Sequence, residues 1–473
     1  MASRPNIVVV MTDDHAQWAL GCSGNREIRT PTLDYLARTG VRFDNAFCAT
    51  PVCSPARASF WTGKIPSQHG VHDYLADPVV KSGEHPGIAG HRTLAVSLHA
   101  AGYATGFSGK WHLGDASRPA PGFDYWFAQS APLEPEGMYS PWPSAAPPKY
   151  FERHAITDHA IEFLRRRPPE QPFFLFIGHF ATHSPWSGHP ERLVEQYRSC
   201  SFDDIPADVT HPFGRPTSES LYRTREHPRE ALAQYYAAVS EIDEQLGRVL
   251  DELDDQGLRE HTLVVYTSDH GLNASHHGLW GKGNATHPYN MLEESIRIPM
   301  IVNAPGQILG GQVRSEFVGH CDLHLTLAEF AALPAPTDVD LPGRSFVDLL
   351  VGKPIPDWPD IAFGEYGDLR MARSRNHKLI LRAGHGADEL FDLMVDPRET
   401  TNRINDPMLD RIRDHLASAI AEYFERYEDP AHSGLRVREL PRHNGDEAWR
   451  FDGPYALYDE PWFLKGVADE DRA

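Results

Sequence analysis

The stretch Thr12-Asp13-Asp14-His15 sets two carboxylates side by side after a largely apolar segment at 6–11, and Ser268-Asp269-His270-Gly271 ends a second such segment at 262–267. Adjacent anions repel and call for a cation, although an isolated Asp-Asp is explained equally well by an Asx turn or a helix cap. Two such clusters change that balance. If both runs are strands of one sheet, Asp13, Asp14, Asp269 and the His270 imidazole converge on a single divalent ion. Carboxylate donors suit a hard cation such as Ca²⁺ or Mg²⁺, and the histidine nitrogen leaves room for Mn²⁺ or Zn²⁺.

Cys53 opens Cys53-Ser54-Pro55-Ala56-Arg57. A free cysteine is usually a small buried hydrophobe, which suffices for Cys22, Cys48, Cys200 and Cys321. Pro55 marks a place where a helix can begin, so Cys53 stands at a helix N-terminus beside Arg57, an environment that stabilises an anion. Lys110 and His112 follow a strand expected at 104–108, His183 lies beyond another at 173–177, and Lys282 sits between Gly281 and Gly283. Taken singly, each is also explained by an exposed lysine, a hydrogen-bonded histidine or ordinary loop packing.

The segments that carry these residues alternate. Strands are expected at 6–11, 104–108, 173–177, 262–267 and 298–303, and helices at 31–39, 93–101, 155–166 and 228–253, with Pro31 suited to a first turn and Gly40 and Gly102 to stops. This is the pattern of an α/β fold: a mostly parallel sheet sandwiched by helices, with ligands bound beyond the carboxyl ends of the strands. After a helix at 322–332 and a Pro-rich stretch at 333–342, short segments at 361–365, 378–382 and 389–392 predict a small antiparallel sheet. A final helix at about 408–427 precedes an irregular tail from Pro430. The expected division is a catalytic domain over 1–345 and a C-terminal α+β subdomain over 346–473. The Pro-rich segment 132–148 reads as an ordered surface loop, with Tyr139 and Trp142 available to pack it.

Over 473 residues, 66 acidic against 45 basic side chains give a formal charge of −21, which repels nucleic acid and anionic membranes. An anionic substrate therefore has to meet a locally positive pocket. Five cysteines fit a reducing compartment better than a disulfide framework. The first residues lack the apolar core of a secretory leader, and no later run reaches the roughly 20 apolar residues of a membrane span. The expectation is a soluble cytoplasmic protein.

Cys53-x-Pro55-x-Arg57 followed by Thr62-Gly63-Lys64 resembles the signature of type I, formylglycine-dependent sulfatases, in which the last residue is more often arginine. The resemblance continues through Thr12-Asp13-Asp14-His15, Leu20-Gly21-Cys22, Thr30-Pro31-Thr32-Leu33-Asp34, Ser108-Gly109-Lys110-Trp111-His112-Leu113-Gly114, His183-Ser184-Pro185, Ser268-Asp269-His270-Gly271 and His277-Gly278-Leu279-Trp280-Gly281-Lys282-Gly283. Any one motif is weak; their shared order, each near a strand end, is not.

The resemblance implies the alkaline-phosphatase-like fold and hydrolysis of a sulfate monoester to an alcohol and inorganic sulfate. It also implies conversion of Cys53 to formylglycine by a formylglycine-generating enzyme. The aldehyde hydrate would be metal-bound at position 53, with Asp13, Asp14, Asp269 and His270 as the other ligands and Asp269 accepting the proton of the attacking hydroxyl. The metal, Arg57, Lys110 and Lys282 would stabilise the sulfuryl oxygens. His183, with Lys282, would protonate the departing alcohol, and a base matching His112 would deprotonate the second hydroxyl and expel sulfate. Relatives on the same fold that cleave phosphonate monoesters or phosphodiesters form one rival reading, and an inactive protein that binds sulfated ligands forms another. The expected substrate is a small-molecule or carbohydrate sulfate ester, with Tyr139, Trp142, Trp186 and Trp280 available to stack on a ring or to pack internally. The tail is available to cover the pocket or to reach a second subunit of a homo-oligomer.

Overall fold

The structure, a computed structural model, describes residues 4–131, 134–139, 153–206, 210–215, 221, 224–334, 339–384 and 386–450. Among them the strands are β1 (Asn6–Thr12), β2 (Val41–Phe47), β3 (Ala104–Lys110), β4 (Tyr125–Ala131), β5 (Glu134–Tyr139), β6 (Phe173–Gly178), β7 (Thr262–Ser268), β8 (Asn273–Ala274), β9 (Trp280–Gly281), β10 (Met300–Asn303), β11 (Gln312–Gly319), β12 (Ile361–Tyr366), β13 (Leu369–Ser374), β14 (His377–Arg382) and β15 (Glu389–Asp392). The main sheet has nine of them, in the order β11-β2-β10-β7-β1-β6-β3-β4-β5.

The run Ile7–Met11 is apolar throughout because both faces of β1 are covered. Ile7, Val9 and Met11 pack with Phe174, Phe176, Leu263 and Val265 on one face. Val8 and Val10 pack with Leu175, Ile177, Val264 and Tyr266 on the other, beneath the helix Pro228–Asp255. The neighbours β7, β1, β6 and β3 are mutually parallel, as the alternation predicts.

β10 runs antiparallel to both β7 and β2, and β5 antiparallel to β4, so the sheet is mixed toward its edges. The strands β2 and β11 escape a reading by apolar runs because charged residues interrupt them: Arg42 and Asp44 in one, Arg314 and Glu316 in the other. The strand expected at 104–108 continues to Lys110, so Lys110 ends a strand rather than following one. The helix expected at 322–332 is His320–Phe330; the Asp322 carboxylate takes the Gly319 N–H at 2.8 Å and fixes the earlier start. Residues Glu134–Tyr139, expected as loop, form β5, while Trp142 lies outside the described residues.

β12 to β15 form the expected antiparallel sheet, with β13 as a strand that the sequence reading did not mark. Leu416, Ile420 and Phe424 of the helix Asp410–Tyr427 pack on Ala372, Leu379 and Leu390 of this sheet. Tyr366 and Met371 face the opposite way, into the core of the main sheet, together with Val437 and Trp449 from the segment after the helix. The two sheets therefore share one apolar interior. Among the described residues no helix is long and apolar enough to cross a membrane.

Candidate active site

Parallel register levels the ends of the central strands: Thr12 lies opposite Ser268, and Met11 opposite Gly178. Asp13 and Asp269 then leave the sheet as neighbours, about 5 Å apart in the strand direction of pairing. Asp14 adopts φ 58°, a left-handed conformation costly for a residue with a Cβ. Its carbonyl is held by the Thr182 hydroxyl at 2.8 Å and the Tyr235 hydroxyl at 3.1 Å, which over-determine the turn.

Cys53 is the first residue of the helix Cys53–Thr62, every residue of which is buried. Pro55 sits in the first turn, where a missing N–H leaves nothing unsatisfied. One turn on, Arg57 donates from Nε to Asp269 Oδ2 at 2.9 Å, from Nη2 to Asp13 Oδ2 at 3.3 Å and from Nη1 to the Lys110 carbonyl at 3.1 Å. Lys110 pairs through Nζ with the Asp13 carboxylate. It reaches that point because residue 109 is glycine at φ +122°, where a Cβ would lie 1.9 Å from the Gly178 carbonyl oxygen. Lys282 follows Gly281, at φ +138°, and donates to Asp14 Oδ1 at 2.7 Å and Cys53 Sγ at 3.0 Å. Asp13 Oδ1 and His270 Nε2 each stand 3.4 Å from the same sulfur.

These groups set one another's charge. Burial opposes ionisation of Asp13, but Lys110, Lys282, His183 and Arg57 hold it well below the usual carboxylate range. Burial and Asp13 likewise oppose the Cys53 thiolate, yet Lys110, Lys282 and His270 leave the thiol more acidic than usual. Against burial, the Asp269 charge lifts His270 to about 9.

The donor chemistry suits a divalent cation. Asp13, Cys53, Asp269 and His270 each offer a ligand atom, all within 4.8 Å of one another, and Asp13, Asp14 and His183 form an overlapping group. The Gly271 carbonyl, 2.9 Å from His270 Nδ1, accepts a hydrogen bond from the Nδ1–H and leaves Nε2 as the nitrogen able to bind a metal.

His183 sits at the rim, 31% exposed, with Nδ1 on the Ser184 carbonyl at 2.6 Å and Nε2 at 3.9 Å from Asp14 Oδ2. His112 makes no hydrogen bond to this cluster; its Nε2 bonds the Leu75 carbonyl at 3.1 Å. Trp186 and Trp280 are buried against each other with ring centroids 5.4 Å apart, so they pack the interior rather than line a mouth. Thr182, beside the His183-Ser184-Pro185 motif, Tyr235 and the segment around Leu75 carry no signal of their own in the sequence, where a hydroxyl or a loop carbonyl does not announce a role.

The family model Sulfatase matches residues 5–333, and N-sulphoglucosamine sulphohydrolase, C-terminal, matches residues 287–426. The chain is 30% identical to an ulvan-active sulfatase of Formosa agariphila, covering 88% of this chain and 80% of that one. It is 27% identical to the N-acetylglucosamine-6-O-sulfatase of Bacteroides thetaiotaomicron, over 90% and 87% respectively. A structure solved in complex with its substrate D-glucosamine-2-N,6-O-disulfate superimposes with TM-score 0.76 at 25% identity, covering 90% of this chain and 98% of that one. The phosphonate monoester hydrolase of Agrobacterium radiobacter, at 21% identity and TM-score 0.70 over 90% and 96%, shares the fold.

Proposed function

The chain belongs to the sulfatase family and is a sulfuric ester hydrolase, and from that premise we propose how its own residues carry the reaction. The observation that supports the reading is the convergence on Cys53 Sγ of Lys282 Nζ at 3.0 Å, Asp13 Oδ1 at 3.4 Å and His270 Nε2 at 3.4 Å, from three separate segments. Cys53 is the site of formylglycine formation. Asp13, Asp14, Asp269 and His270 hold one divalent cation beside it, with Ca²⁺ the first choice. When bound, the cation and the aldehyde hydrate supply Lewis acidity and an oxygen nucleophile.

The carboxylates of Asp13, Asp14 and Asp269 balance the basic groups of Arg57, Lys110 and Lys282, so a divalent cation held there would give the pocket the locally positive character that an anionic ester needs beneath an acidic surface. Each of Arg57's three nitrogens is engaged, by Asp269, Asp13 or the Lys110 carbonyl, so it holds the carboxylates in place and its remaining Nη1 N–H is the one left for a sulfuryl oxygen. Lys110 and Lys282, each with a single flexible ammonium, turn from carboxylate to sulfuryl oxygen. Asp269 accepts the proton of the attacking oxygen, oriented by Arg57 Nε and by the His270 N–H at 2.9 Å. His183 Nε2, at the exposed rim, donates to the leaving alcohol. His112 takes the proton whose loss lets sulfate depart. All these groups fall within residues 1–345, which we assign as the catalytic unit, and the natural ester is a sulfated carbohydrate or a small aryl or alkyl sulfate.

The test is peptide mass spectrometry across Cys53 from protein produced with a formylglycine-generating enzyme, paired with a panel of sulfate, phosphate and phosphonate esters. The expected result is the aldehyde at position 53 and turnover of sulfate monoesters ahead of all others. Full activity with unmodified Cys53, or a preference for phosphonate monoesters, would overturn it.

A further inference from the structure

His112 holds an unusual place. Its backbone is left-handed at φ 58°, its Nε2 lies 3.1 Å from the Leu75 carbonyl, and its buried Nδ1 has no hydrogen-bond partner among the described residues. A carbonyl oxygen only accepts, so the neutral ring carries its proton on Nε2 and keeps its lone pair on Nδ1. The Leu75 carbonyl thereby selects the nitrogen that can act as a base.

Leu75 is placed from two sides. Its N–H donates to Ser54 Oγ at 2.9 Å, one residue from Cys53, which ties it to the start of the catalytic helix. Two residues back, Asp73 is wholly buried, and among the described residues no lysine or arginine forms an ion pair with it. Its Oδ1 accepts from the Tyr366 hydroxyl and the Tyr74 N–H, both at 2.8 Å, and its Oδ2 accepts from the Tyr289 hydroxyl at 3.1 Å. The two tyrosine rings stack at 4.1 Å and join the end of β12 to the loop after Lys282. The flanking backbone is strapped as well: the His72 N–H donates to His443 Nε2 at 2.8 Å, the Ala76 N–H to the His443 carbonyl at 2.9 Å, and Asn444 Nδ2 to the Tyr74 carbonyl at 2.8 Å.

We propose that Asp73 is a positioning residue for the reaction: by gathering Tyr289, Tyr366 and the Tyr74 N–H it fixes the 72–76 strap, and the strap's Leu75 carbonyl locks His112 as the Nε2–H tautomer with Nδ1 free to accept a proton. The functional half of this rests on the assignment of His112 to sulfate release. Asp73 works through its acceptor oxygens, all met by neutral donors, so an asparagine, which keeps one of them in place, retains most of the effect whereas an alanine does not.

The experiment compares wild type, Asp73→Ala, Asp73→Asn and the gentler Tyr366→Phe, all matured with a formylglycine-generating enzyme, on 4-nitrophenyl sulfate. Asp73→Ala is expected to lower kcat by about 100-fold, the scale of a misplaced catalytic group, while kcat/KM, which reports the earlier half of the cycle, stays within about threefold. Asp73→Asn recovers most of the loss, and Tyr366→Phe shows a smaller effect of the same kind. A parallel fall of kcat and kcat/KM in Tyr366→Phe and Asp73→Ala, or no recovery in Asp73→Asn, overturns the proposal, because a merely structural anchor behaves that way. Nitrogen-15 spectra of histidine-labelled protein, with His112 assigned by its loss in His112→Gln, read the tautomer without any turnover. A mixed tautomer in Asp73→Ala with no selective loss of kcat removes the assignment of His112 and leaves the positioning intact; an unchanged tautomer removes the positioning.

Discussion

Carboxyls buried equally deep in two regions of this molecule behave in opposite ways. Asp13 is fully buried at the end of β1, and Asp73 and Glu365 are as deeply buried where the second sheet meets the first. Asp13 is held far below the usual carboxylate range, because the charges of Lys110, Lys282, His183 and Arg57 outweigh its burial. Burial raises Asp73 to about 6 and Glu365 to about 7, since their hydrogen-bond donors are mainly hydroxyls and backbone N–H groups. Asp322, bonded to the Gly319 and Arg344 N–H groups, is raised by burial to about 7. Burial is thus common to both groups, and the partner decides the charge. The catalytic pocket stores ionised groups in matched pairs; the junction between the sheets uses carboxyls as hydrogen-bond hubs.

The sharpest break between the two regions comes from Cys53→Ser. A serine has no second hydroxyl, so a single release of alcohol is expected, followed by turnover slower on the order of 10³-fold; several rapid turnovers in stopped-flow assays would exclude the proposed chemistry. Asp13→Asn ranks next. It leaves Lys110 and Arg57 short of a buried counter-charge, so beyond lost activity it is expected to cost about 3–5 kcal/mol in urea denaturation, and a smaller loss would show that the pairing matters little. Removal of divalent cations by a chelator should lower both activity and thermal stability, by about 2.7 kcal/mol relative to protein held at a hundredfold excess over Kd, with the most effective ion in add-back melts identifying the metal.

The pH dependence separates the regions by sign. Asp73, Asp322 and Glu365 all have folded-state values above their ordinary ones, so the folded chain retains their protons longer than the unfolded chain. Their contribution is complete below about pH 4 and is lost as the pH rises through about 6 to 7. Denaturation midpoints measured across that window should fall less steeply in Asp322→Asn than in wild type, and an unchanged slope would refute the assignment. The smallest effect is expected for Glu365→Gln, within about 1 kcal/mol at pH 8, because the amide oxygen still accepts the Ser67 N–H and the Ser67 hydroxyl can turn to accept from the amide N–H.

The pocket was readable where the residue type itself announces chemistry and the strand end announces position. Asp13, Asp14, Asp269 and His270 follow apolar runs, and Lys282 stands between glycines; the structure brings all of them within contact of Cys53 or of one another. The parallel core was readable for the same reason, since strands buried on both faces are apolar throughout. β2, β11 and β13 were not, because charged side chains interrupt their apolar patterns, Arg370 and Arg373 in the case of β13, and the pairing of β2 with β11 is non-local. Asp73 was invisible for a related reason: what gives it a role is Tyr366, 293 residues away, and no local pattern connects the two.

The strap at 72–76 has a consequence in time as well as in space. During synthesis the catalytic helix and the strap leave the ribosome early, but the imidazole that accepts the His72 N–H and the carbonyl that accepts the Ala76 N–H belong to His443. A nascent chain therefore holds every charged residue of its pocket long before it can fasten the segment that orients His112. A prematurely terminated product lacking residue 443 would carry the full set of motifs and still leave that last piece unlatched.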